Sequence, residues 1–230
     1  MNPLFALLRN GGQKQQDAPA TVATNCFTNN EVSDIIDNID QLKQYWEPLF
    51  ADCSNPILTQ LLPRGMYACS ESLYIQHVQT IKDTMYQHFS TYYATIITTV
   101  EEAFNLPTTF NKKCNYPGFH IFDNTTTEQK EYNTGNFHKD AFYYLPKIMP
   151  VGNIISVIIP LSLPITGGNL LYNADKSSTP STFVYSIGNM YKWPGLLLHS
   201  IEPFTLLPGE RRITCQMHLN VLDDKIIIFW

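Results

Sequence analysis

The residues with the clearest capacity for chemistry are Phe137-His138-Lys139-Asp140. In an extended strand, positions two apart project to the same face, so His138 and Asp140 can aim an imidazole and a carboxylate at one point. His199, from a distant part of the chain, is the candidate third ligand. Two histidines and one carboxylate cover one face of a metal ion and leave three positions open. Fe(II) that must take up a bidentate ligand and O2 needs those openings. The H-x-D triplet alone has little specificity, because a lone strand histidine is commonly a packing or surface residue.

The surrounding sequence sharpens this. Downstream of the triplet come Thr166-Gly167-Gly168-Asn169-Leu170, then Pro194-Gly195-Leu196-Leu197-Leu198-His199-Ser200-Ile201-Glu202-Pro203-Phe204, then Pro208-Gly209-Glu210-Arg211-Arg212-Ile213-Thr214. In content and order these segments resemble the Fe(II)/2-oxoglutarate-dependent oxygenase family. There a G-G-x-L segment lies between the H-x-D and the distal His, and a Gly and an Arg follow that His. The resemblance covers roughly residues 111–220. It implies an α+β fold built on a double-stranded β-helix, the cupin-like jelly roll. It also implies iron on His138, Asp140 and His199, with 2-oxoglutarate chelating the metal and O2 as cosubstrate. The family's halogenases replace the carboxylate by Gly or Ala, so Asp140 argues for oxygen insertion.

The resemblance further implies an Arg for the far carboxylate of 2-oxoglutarate, a role that suits the planar, bidentate guanidinium. Arg211 fits a G-x-R pattern with Gly209; Arg212 fits an R-x-T pattern with Thr214. A one-residue step along a strand reverses the face, so at most one of them points inward. Arg212 with Thr214 is the favoured pair, and Arg211 is expected on the surface, solvated. The same parity turns Gln216 and His218 inward, where Gln216 is either a substrate contact or simply a polar lining residue. Tyr116-Pro117-Gly118-Phe119-His120 resembles a strand that precedes the H-x-D in small-molecule members of the family. Tyr116 and His120 are therefore further substrate-binding candidates, against the plainer reading of a core strand.

These residues need elements to hold them. A helix is expected from an N-cap at Asn30, with Ile35, Ile36, Ile39 and Leu42 at helical spacing and Pro48 ending it. A longer helix starts near Ser70 and puts Leu73, Val78, Ile81, Met85, Phe89, Ile96, Val100 and Phe104 on one face, with a break near Ser90-Thr91 and a stop at Pro107. His77 and His88 on this helix are expected as surface or packing residues. Short β-rich runs follow at 119–122, 142–145, 154–163, 169–172, 183–187, 211–221 and 226–230. Helices first and strands later suggest helices on one face of a sheet roll. The expected organisation is one domain: a flexible lead-in over 1–24, a mainly helical part over 25–110 and the β-roll over 111–230.

Composition narrows the function classes. The chain has 230 residues, 44% hydrophobic and only 15% charged, enough for one core. The net charge is −5 and no basic stripe occurs, so nucleic acid is not an expected partner. The five cysteines form no C-x-x-C spacing, which fits reduced thiols in a cytoplasmic protein. The apolar run in Met1–Asn10 has no basic residue before it and makes a poor signal peptide. The Asn124-Thr125-Thr126 sequon is therefore expected to be incidental, and no run reaches membrane-spanning length. The 175–179 segment is a polar loop that could cover a site.

The expected activity is hydroxylation of an unactivated C–H bond in a small polar molecule, such as a free amino acid, with release of succinate and CO2. A peptidyl substrate, as for prolyl hydroxylases, is the alternative within the class. Outside it stand a jelly-roll metal-binding or sensing protein without turnover, and a cupin-like zinc or manganese enzyme. The latter usually offers H-x-H and a Glu, which this sequence lacks.

Overall fold

The computed structural model describes residues 21–48, 59–66, 70–133, 136–140, 149–173 and 179–230. The expected strand at 142–145 lies outside them, as do nearly all of the expected loop at 175–179 and most of the lead-in.

Helix α1 (Asn29–Gln41) is capped two residues earlier than expected. Thr28 is the N-cap: its Oγ1 accepts from Glu31 N, and the Glu31 carboxylate accepts from Thr28 N at 2.8 Å. This reciprocal box satisfies two otherwise orphaned donors, which Asn30 cannot do once Glu31 is placed this way. Val32, Ile35 and Ile39 are its buried positions. The helix stops at Gln41, before Pro48, and a short turn of 3-10 helix (Lys43–Tyr45) follows. Helix α2 (Glu71–Phe104) runs unbroken for 34 residues, so the expected break at Ser90-Thr91 does not occur. Thr95 and Thr99 turn their hydroxyls back to the carbonyls four residues earlier, which occupies the groups that compete with the helix. Phe89 and Tyr93 anchor the same stretch in the core. At its start Tyr74 is buried, whereas Leu73 is 37% exposed and does not belong to the packed face. Asn105 ends the helix in the left-handed conformation, with φ 53°.

The strands are β1 (Thr21–Asn25), β2 (Glu47–Pro48), β3 (Thr59–Leu62), β4 (Thr108–Phe110), β5 (Gly118–Asp123), β6 (Lys130–Tyr132), β7 (Asn153–Ser162), β8 (Leu170–Asn173), β9 (Ser181–Phe183), β10 (Asn189–Pro194), β11 (Leu198–Ile201), β12 (Phe204–Leu206), β13 (Arg211–Val221) and β14 (Ile226–Phe229). The N-terminal stretch is thus helical but also sends β1 and β3 into the sheet. Strands β10 to β12 lie in a stretch where Gly and Pro interrupt any alternation.

Among the described residues, the major sheet has nine strands, with the order β1-β10-β7-β13-β5-β3-β2 and β14 and β4 alongside. The 11-residue β13 is its spine. It pairs with β7 along one edge; along the other it pairs first with β5 and then with β14. A second layer holds β11-β8-β9 and the β12-β6 pair. The result is an α+β jelly roll, a double-stranded β-helix.

One parity runs through the major sheet. Ile213, Cys215, Met217 and Leu219 of β13 join Val157 and Ile159 of β7 and Ile121 of β5 in the core beneath α1 and α2. The opposite parity faces the second layer: Ile158, Tyr191 and Trp193 pack with Leu170 and Leu197 there, and Phe122 packs with Tyr132 and Phe204. Burial of about 25 cal/mol per Å² of apolar surface holds both layers to the sheet. The inner face is also where the polar side chains of β13 must lie.

Candidate metal centre

His138 and His199 form an isolated antiparallel bridge, with His138 N to His199 O at 2.8 Å and His199 N to His138 O at 2.9 Å. Residues opposed in this way share a face, and the two imidazole centroids lie 4.5 Å apart. On its other edge β11 pairs with β8, His199 opposite Tyr172, which fixes the distal histidine in a sheet. The ligand atoms of His138, Asp140 and His199 all fall within 4.8 Å of one another.

Each imidazole is oriented by a carbonyl. His138 Nδ1 lies 3.1 Å from Asn136 O, and His199 Nδ1 lies 2.9 Å from Leu197 O. A carbonyl only accepts, so Nδ1 carries the proton and Nε2 offers its lone pair to the common point. His199 Nε2 is 3.8 Å from Asp140 Oδ1. Burial holds the pKa of His199 down, against the pull of Asp140, which favours the neutral ligand form. Trp193 meets the His199 ring edge-on at 5.3 Å and closes that side. His138 is exposed and Asp140 half-buried, so the point is approached from their side.

Arg212 occupies the inner face near the start of β13 and is 0% exposed. Its Nε donates to Gly168 O at 2.9 Å, and the guanidinium lies beside the edge-to-face pair of Phe122 and Phe204, 5.6 and 5.7 Å from their ring centroids. Nη1 and Nη2 are buried with no partner among the described residues. Burial lowers the pKa of the group to about 10, so it remains a cation at neutral pH. An unpaired buried charge is costly, and a planar fork with two idle nitrogens is shaped for a carboxylate. Gly167 and Gly168 take φ of +72° and +75°, and a Cβ on Gly168 would stand 3.2 Å from Arg212 Cδ and Nε. The double glycine thus shapes the seat of the arginine.

Arg211 points the other way. Its Nη1 and Nη2 bind the Asp40 carboxylate of α1, with Asp123 beside it. It is a paired cation joining helix to sheet, not the solvated charge expected. Thr214 shares the inner face with Arg212 and accepts from Gln216 Nε2 at 3.1 Å. The Gln216 amide also donates to His120 Nδ1 at 2.9 Å. Burial pushes the His120 pKa down to about 3, so its ring is neutral. Tyr116 is elsewhere: it stacks on Tyr93 at 4.9 Å and meets Phe110 edge-on, on the helix side of the sheet. Tyr116 precedes β5 and so escapes the strand's alternation, which places it away from the inner face and the metal candidates.

Of the remaining readings, His77 pairs with Glu47 at 3.0 Å, a packing role. Asn124 of the sequon is fully buried and uses its Nδ2 on the carbonyls of Glu128 and Leu206, which leaves no free amide for a glycan. Cys26, Cys114 and Cys215 are free and buried, while Cys53 and Cys69 lie outside the described residues. No described helix is long and apolar enough to cross a membrane. Ser156 was missed by sequence reasoning. Its hydroxyl donates to Asp140 Oδ2 and lies 3.3 Å from His218 Nδ1. A lone serine inside the apolar run Ile154-Ile155-Ser156-Val157-Ile158 was the available signal.

No family model matches the chain, and no curated protein matches it. Solved structures do. AviO1 from Streptomyces viridochromogenes Tue57 superposes with a TM-score of 0.53 at 9% identity, over 91% of this chain and 92% of that one. SnoN, described as a non-heme α-ketoglutarate-dependent epimerase from nogalamycin biosynthesis, gives 0.52 at 13% identity, over 95% of this chain and 84% of that one. At such identities the likeness establishes the fold.

Proposed function

We propose that the chain is an Fe(II)- and 2-oxoglutarate-dependent dioxygenase that hydroxylates a small polar substrate. The observation that carries this is Arg212: a fully buried guanidinium whose two terminal nitrogens lack partners among the described residues, on the face shared with a His-Asp-His cluster. A dicarboxylate that chelates a metal at one end and needs a cation at the other answers both features. The donor set of two imidazole nitrogens and one carboxylate oxygen also fits Fe(II) with open positions.

His138 and His199 would hold the metal through Nε2 and Asp140 through Oδ1. Arg212 would take the far carboxylate of 2-oxoglutarate through Nη1 and Nη2, with its Nε held by Gly168 O and Phe122 and Phe204 packed beside it. Thr214 stands on the same face as a hydroxyl partner. Bound together, iron and 2-oxoglutarate supply the power to reduce O2 and oxidise an unactivated C–H bond, releasing succinate and CO2. The protein orients the pair and excludes water with Trp193, Phe122 and Phe204. His120 and Gln216, bonded to each other beside Thr214, are the proposed contacts for the polar substrate.

The test is an anaerobic titration of the metal-free protein with Fe(II), then 2-oxoglutarate, following the visible charge-transfer band of the chelate. The band is expected in the wild type and absent in His138→Ala. Arg212→Ala should need far more 2-oxoglutarate to reach it. Iron uptake without any band in the wild type rules the cosubstrate out. Succinate release over a substrate panel then decides the substrate class, and a clear preference for peptides would overturn the small-molecule reading.

A further inference from the structure

We infer that Ser156 and His218 form a positioning relay that occupies Asp140 Oδ2 and leaves Oδ1 alone for the metal, so that the carboxylate binds through one oxygen. This rests on the metal-site reading above and assigns roles to two residues that do not themselves touch the ion.

The relay is built by sheet register. Trp193 of β10, Ser156 of β7, His218 of β13 and Phe229 of β14 are successive cross-strand partners in one row across the inner face. Ser156 is 2% exposed, and its only proton is donated to Asp140 Oδ2. The serine oxygen can then only accept from His218 Nδ1, 3.3 Å away, so that nitrogen carries the imidazole proton. The His218 ring lies over the Trp230 indole, centroids 5.9 Å apart and planes 17° apart, with Phe229 at 5.3 Å. Trp230 is tied down by its Nε1–H to Pro63 O at 2.9 Å. A stacked, buried imidazole thus holds the hydroxyl, and the hydroxyl holds one carboxylate oxygen. The other oxygen faces His199 Nε2 at 3.8 Å.

This arrangement has a functional consequence. A carboxylate that turned both oxygens to the ion would take one of the three positions that a bidentate cosubstrate and O2 require. A hydroxyl bound to Oδ2 opposes that rotation. Outer partners of this kind typically change metal affinity by about 10–100-fold when removed.

The experiment uses Co(II) as the probe, titrated calorimetrically and by its visible ligand-field absorption, with the urea midpoint of the metal-free protein measured alongside. The wild type should bind one Co(II), and His138→Ala should abolish binding. Ser156→Ala should bind about 10–100-fold more weakly, with an altered Co(II) spectrum and a nearly unchanged metal-free midpoint. Ser156→Thr, which keeps the hydroxyl, should restore both affinity and spectrum. His218→Phe, which keeps the stacking but loses Nδ1–H, should weaken binding less than Ser156→Ala does. Wild-type affinity and spectrum in Ser156→Ala, or no recovery in Ser156→Thr, overturns the relay while leaving the metal site standing. A wild type that takes up no Co(II) overturns the metal reading and the relay with it.

Discussion

At the scale of single residues, Arg212 is held at an energetic cost that a ligand can relieve. Among the described residues this buried guanidinium is bonded only through Nε, an arrangement that destabilises the ligand-free protein. Replacing a buried ion by an apolar side chain of similar length is commonly neutral or stabilising by about 1–4 kcal/mol. Arg212→Met should therefore leave the metal-free protein as stable as the wild type or up to about 2 kcal/mol more so, after the loss of the bond to Gly168 O. It should also abolish the rise in urea midpoint that 2-oxoglutarate is expected to produce in the wild type. A drop of several kcal/mol without ligand would mean that the guanidinium is already satisfied. Gly168→Ala tests the same seat from below. At φ +75° an added methyl 2.9 Å from Pro164 Cγ and 3.2 Å from Arg212 has no room, so 2-oxoglutarate binding should weaken while Co(II) binding is retained.

At the scale of elements, the site depends on strands staying in register beneath two helices. The Thr28 cap closes α1 with a reciprocal bond to Glu31. Thr28→Ala should cost about 1 kcal/mol in urea unfolding, without changing metal affinity. Phe89 of α2 is 0% exposed and lies 4.9 Å from Phe119 of β5. Phe89→Ala should cost about 3–5 kcal/mol, the usual range for a large buried aromatic. A loss below about 1 kcal/mol in Phe89→Ala would mean that α2 is not what holds the outer face of the sheet. Arg211 belongs to this scale as well: its pairing with Asp40 joins β13 to α1, and its neighbour Arg212 is thereby turned to the opposite face.

At the scale of the whole molecule, the inner face gathers histidines that fold neutral. Burial lowers the pKa of His120 to about 3 and also lowers those of His199 and His218. In the unfolded chain each titrates near 6.5. Below that pH the unfolded state therefore binds more protons than the folded one, and stability falls as pH falls. Each imidazole contributes about 1.4 kcal/mol per pH unit until its folded pKa is reached, which for His120 extends to about 3. The urea midpoint of the metal-free protein should be clearly lower at pH 5 than at pH 7.5. An unchanged midpoint would place these rings in contact with water.

The candidate ligand cluster was legible in the sequence because it depends on residue type and short spacing. His138 and Asp140 need only an extended backbone to share a face. The alternation along β13 separated Arg211 from Arg212, as parity requires, and the helix-then-strand order indicated a roll with helices on one side. Long-range pairing was not legible. The His138–His199 bridge, the row that brings Ser156 and His218 behind Asp140, and the cluster of Arg212 with Phe122 and Phe204 join residues far apart in the chain. Tyr116 lies on the helix side for the same reason: only the tertiary packing decides which face of the sheet a strand-flanking aromatic joins. Local rules of period, capping and turn chemistry determined what each segment can be. Sheet register and burial, which arise only when the segments meet, decided which side chains share a face and which polar atoms lose water.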